Sequence, residues 1–166
     1  MATHFTTTPR GVMKPVAQPS SIVRKFPKFL IALAAYVEAE RDAESDWATD
    51  PACLNWLRDA ERARSTVLDQ IGDITKEELD GLGDQSLKAT AMLTRIMIES
   101  SSSSEFFKAF ALLDTHPARF TCPEYAPARV KQMVRTARQR LADLTTLSAF
   151  VDPCEADPEA DVVATS

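Results

Sequence analysis

Between Phe26 and Leu144, apolar side chains return every three or four residues. Nowhere do they alternate with polar ones long enough to make a strand. That periodicity restricts the chain to helices that each bury one stripe, because a helix repeats every 3.6 residues and a strand every two. The reading is all-α: a single-domain helical bundle of four to five main helices over residues 21–151. A flexible basic arm is expected at 1–20 and an acidic disordered tail at 152–166. A chain of 166 residues can bury roughly 70% of its unfolded surface without disulfide or metal staples.

The helix boundaries follow from local signals. Pro27, with its pre-set φ, is expected to open the first helix, whose stripe is Phe26, Phe29, Leu30, Leu33, Ala34 and Val37. Asp50 and Pro51 read as N-cap and first residue of the second. Its stripe is Cys53, Leu57, Ala60, Val67, Leu68 and Ile71, with Gly72 as the terminating residue. Thr75 and Glu78 have capping-box spacing for a short third element, closed by Gly81 and Gly83. Asp84 is then expected to cap a helix whose apolar residues, Leu87 to Ile98, cover most of its circumference, which suits a central place. The run Ser100–Ser104 reads as a cap rather than a linker, because Ser102 and Glu105 form S-x-x-E ahead of Phe106, Phe107, Phe110 and Leu113. A stop near His116-Pro117, a proline-rich loop and a last helix from Pro127 to about Phe150 complete the series.

The chemical inventory is thin. Cys53, Cys122 and Cys154 are odd in number and far apart, which fits reduced thiols in a cytoplasmic compartment. The Ala-rich, Arg-over-Lys composition has a bacterial look. With only two histidines, no His/Cys metal spacing exists, and no phosphate-cradling glycine run or hydrolase elbow occurs. No metal or cofactor is therefore expected. The longest apolar run, Phe29–Val37, has nine residues, against the roughly 20 that a membrane-spanning helix needs. Residues 1–37 lack acids and carry Arg10, Lys14, Arg24, Lys25 and Lys28, as a transit peptide would. Prolines 9, 15 and 19 break any amphipathic helix there, so a basic arm is the better account. The one catalytic candidate pairs His116 with Cys122, an imidazole and a thiol in one loop. The plainer reading makes Cys122 a small apolar residue and His116 a helix terminator.

The basic last helix invites a nucleic-acid reading. On a helical wheel, Val130, Met133, Val134, Ala137, Leu141, Leu144 and Ser148 share one arc. Lys131, Arg135 and Arg138 lie on one shoulder of it, and Arg129 and Arg140 on the other. A groove-reading helix would hold its cations opposite the buried stripe. Here they flank it, so pairing with the chain's own acids at 38–46 and 152–161 is expected instead. Arg64 projects into the stripe of the second helix, where a buried guanidinium needs a carboxylate or carbonyl partner; an acid on a neighbouring helix is expected to supply it. The leading functional expectation is a non-enzymatic protein acting by protein–protein contact, as an adaptor or an oligomeric component. Nucleic-acid binding through Arg129, Lys131, Arg135, Arg138 and Arg140 with the N-terminal arm is the alternative. An enzyme with a Cys/His loop site comes third.

Overall fold

The computed structural model describes residues 18–44 and 53–150. The helices are α1 (Ser21–Glu44), α2 (Cys53–Thr75), α3 (Asp84–Ile98), α4 (Ser103–Phe110), α5 (Leu112–Thr115), α6 (Pro117–Phe120) and α7 (Ala128–Leu144), followed by a 3₁₀ turn at Ser148–Phe150. There is no strand among the described residues, and the all-α expectation holds. The Asp50–Pro51 start, most of the arm and the acidic tail lie outside the described residues.

α1 starts six residues before Pro27. Ser20 caps it by accepting a hydrogen bond from the Val23 N–H at 3.2 Å, so Ser20 belongs to the bundle rather than to an arm. Pro27 stands inside the helix, where a missing N–H costs about 3 kcal/mol in general. Ile22, Val23 and Phe26, all buried on its N-terminal side, offset that at roughly 1.5–3 kcal/mol each. Arg24 and Lys25, which precede the expected start at Pro27, are thus helix residues. Lys25 bridges to Glu77 at 2.7 Å and to the Asp73 carbonyl at 3.3 Å. These contacts join the start of α1 to the end of α2 and make the two antiparallel.

Gly72 does not end α2. The helix runs on to Thr75, because Ile74 extends the buried series Val67–Ile71 and the Thr75 hydroxyl donates to the Gly72 carbonyl at 3.0 Å. Leu57, expected on the inner face, is 58% exposed. A Cβ at Gly72 would meet nothing within 4 Å. Gly72→Ala is therefore expected to stabilise the fold by about 0.5–1 kcal/mol, through lower unfolded-state entropy and better helix propensity. Urea unfolding checks this as a higher midpoint.

No helix forms over 76–83; Thr75 and Glu78 cap nothing there, because the Thr75 hydroxyl is bound back to α2. α3 is central, packing on α1, α2, α4, α6 and α7. Its buried hydroxyls are satisfied: Thr90 and Thr94 donate to carbonyls one turn earlier, and Ser86 to the Thr121 carbonyl at 2.9 Å. The expected cap of α4 is present. Ser102 accepts from the Glu105 N–H at 3.2 Å, while the Glu105 carboxylate accepts from the Ser101 N–H at 3.0 Å. Phe106 is fully buried and stacks on Phe150 with centroids 4.4 Å apart, which anchors the 3₁₀ turn; Phe107, expected inside, is 39% exposed. The proline-rich loop is shorter than expected, since Pro117 opens the single turn of α6. α7 ends at Leu144, with the Thr145 and Thr146 hydroxyls closing onto its last carbonyls. The predicted stripe is buried from Val130 to Leu144, but Ser148, expected on the same arc, is exposed because the helix has already ended.

Candidate functional site

The segment α4–α6 and the helix α7 do not close on each other. α7 packs on α1 and α3, whereas α6 packs on α3 and α5. Between them lies an open groove of about 620 Å³, floored by Phe110, Leu113, Phe120, Val134 and Ala142. Lys131, Arg135 and Arg138 stand along its α7 wall, with Asp114, Thr121 and Cys122 opposite. The geometry follows from the helix wheel. Residues one, five and eight positions after Val130 fall at 80–140° from it by 100° steps, on the shoulder that overlooks this gap.

The cations are only partly neutralised. Arg138 is 3.8 Å from the Asp114 carboxylate of α5, and Lys131 donates to the Glu124 carbonyl. Arg135 is exposed and has no ion pair or hydrogen bond among the described residues. On the other shoulder, Arg140 pairs with Asp143 of its own helix at 3.4 Å and Arg129 is exposed. Among the described residues, no ion pair joins any of the five to Glu38 or Glu40. The acidic end of α1 runs beside the first half of α2 instead, where the Glu61 and Arg64 charges act on Glu40. The acids expected at 152–161 lie outside the described residues.

Cys122 lines the groove, but His116 does not. His116 is exposed, with its Nδ1 3.0 Å from the Thr115 hydroxyl. Burial pushes the Cys122 thiol above the ordinary cysteine range, against weaker opposite effects from Ser86 and Lys131. A thiol held protonated is a poor nucleophile. Iodoacetamide at pH 8 is expected to alkylate Cys122 several-fold more slowly than free cysteine. Mass mapping of the modified peptide checks this, and a faster rate would restore the nucleophile reading.

Arg64 sits at another place, on the α2 stripe between Ala60 and Val67 but where the bundle ends. Its side chain is 35% exposed and lies 3.8 Å from Glu61 of its own helix. Its Nη2 donates to the Ile98 carbonyl at the C-terminus of α3, at 3.4 Å. The neighbouring helix thus contributes a carbonyl, not the expected acid, because helix ends leave carbonyls unpaired. Nearby, burial raises the Glu40 pKa, and the Glu44 and Glu61 charges add to this; the Tyr36 hydrogen bond and Arg64 oppose it. A raised folded-state pKa contributes stability that is present below the ordinary value of 4.5 and is lost as pH climbs through the folded value. Glu40→Gln removes that loss. It is expected to equal or exceed the native protein in stability at pH 7, with the difference shrinking toward pH 4; thermal melts across that range check it.

Sequence reasoning treated Cys122 and the cationic shoulder separately and missed the aromatic floor. Phe110, half-buried, and Phe120, only 5% exposed, carry no sequence signal of lining a groove, since the placement of α6 brings them there. Among the described residues no three His, Cys, Asp or Glu side chains converge as a metal site, and no helix is long and apolar enough to cross a membrane. The groove is thus the feature on which comparison with known proteins would bear. No family model, curated protein or solved structure matches the chain.

Proposed function

We propose that this protein is non-enzymatic and works by docking a segment of another protein in the groove between α7 and α4–α6, as an adaptor or assembly component. What carries the reading is one observation: an apolar floor beneath a wall of three cations, one of them without an ion pair among the described residues. That combination suits a peptide bearing both carboxylates and apolar side chains, because apolar anchors supply affinity while the charges set orientation and encounter rate. A polynucleotide would match the cations but would leave the aromatic and aliphatic floor unused unless its bases stacked there. A cytoplasmic location accords with the same reading, given three cysteines odd in number and far apart in sequence.

Fluorescence anisotropy with a labelled acidic amphipathic peptide, a charge-reversed peptide and a single-stranded oligonucleotide tests the proposal. The acidic peptide is expected to bind, and Arg135→Glu to weaken it about tenfold or more. Binding of the oligonucleotide alone, with a steep salt dependence, would replace this reading with the nucleic-acid one. Sedimentation of the unlabelled protein shows whether a second copy supplies the segment.

A further inference from the structure

We infer that the chain's own C-terminal segment, residues 151–166, competes for this groove and lowers its availability to partners. This rests on the docking reading above and adds its regulation. Three observations carry it. The first is charge: residues 152–166 hold Asp152, Glu155, Asp157, Glu159 and Asp161, no base, and the apolar pair Val162-Val163. They match in kind the ligand that Lys131, Arg135, Arg138 and the apolar floor call for. The second is position. Phe150, the last described residue, stacks on Phe106, which lies four residues before Phe110 on α4 and so on the same face, one turn from the groove floor. The third is reach. Sixteen residues can extend roughly 50 Å, while α7 is about 25 Å long, so the segment can run back along the cations from Arg138 to Lys131.

Tethering makes even weak pairing count. A covalently attached ligand with a short connection reaches an effective concentration in the millimolar range. A segment with a submillimolar intrinsic affinity would then occupy most grooves and reduce the apparent affinity for a partner in proportion.

The test uses the full chain, native and with the five tail acids neutralised (D152N/E155Q/D157N/E159Q/D161N). Two readouts are taken at low salt: the alkylation rate of Cys122, resolved from Cys53 and Cys154 by peptide mass, and affinity for the acidic amphipathic peptide. Neutralisation is expected to speed Cys122 alkylation and to tighten peptide binding, each about fivefold, with both differences fading at high salt. Equal alkylation rates in the two proteins would overturn the inference. If the peptide binds both equally, the tail competes for nothing and the docking reading survives. If it binds neither while Cys122 protection still depends on the tail, the groove serves the tail, and the partner reading is the one that fails.

Discussion

Asp84→Ala is expected to destabilise the fold by about 3 kcal/mol, the largest loss from any single polar side chain described above. Asp84 is wholly buried at the head of α3. One carboxylate oxygen accepts from the Ser20 hydroxyl at 2.7 Å, and the other accepts from the Gly81 N–H at 2.7 Å and the Asp80 N–H at 3.2 Å. The Ser20 oxygen in turn accepts from the Val23 N–H. One side chain therefore ties together the N-terminus of α1, the turn before α3 and the positive end of the α3 dipole. Alanine would leave two part-buried backbone donors and a part-buried hydroxyl without this partner and would empty a buried site, and those losses together are the main cost. Asp84→Asn keeps the shape and can still accept from the turn, so about 1 kcal/mol is expected. The check is urea unfolding of both variants: the midpoint should fall with the slope unchanged, and Asn should lose clearly less than Ala. Equal losses would mean that the carboxylate's charge and its second accepting oxygen, not its shape, hold this corner.

Gly83→Ala is expected to cost a similar amount, about 3 kcal/mol, for two separable reasons. Gly83 has φ 92°, in the left-handed region where a Cβ is strained by about 1–2 kcal/mol. That Cβ would also stand 2.7 Å from Val130 Cγ1, inside any real carbon contact, so α7 would have to shift. The double variant Gly83→Ala/Val130→Ala separates the two. It removes the overlap but not the strain, so it is expected to be less destabilised than the two single losses added together, by about 1–2 kcal/mol. Strict additivity would show that α7 yields freely at its first turn. Gly72→Ala, with the opposite sign, is the internal contrast: the same substitution, in open space and helical φ.

These two residues also bear on the groove. Val130 is the first residue of the α7 stripe, and Lys131 follows it. The close approach of Gly83 to Val130 helps to set where the cationic wall stands relative to Cys122 and Phe120. Any change that moves α7 here changes the width of the gap in which a partner segment, or the chain's own tail, would lie.

The local code settled much about this protein by itself. The period of 3.6 determined that it is all helix. The series Val130–Leu144 determined which face of α7 is buried, because side-chain direction on a helix depends only on spacing. The S-x-x-E pair at Ser102 and Glu105 determined the start of α4, because a cap is made within four residues. Boundaries failed where burial overrode local preference. Pro27 and Gly72 are both poor interior residues, yet buried Ile22 and Phe26 on one side and Ile74 on the other carry the helices through them. Arg64 was legible as lying on a core stripe, but not as emerging at the bundle's end beside the Ile98 carbonyl. The groove was not legible at all. It exists because α6 packs on α3 instead of α7, which leaves Phe110 and Phe120 facing a gap beneath Arg135. That is a relation between segments distant along the chain, and it is decided by how three helices share the surface of a fourth.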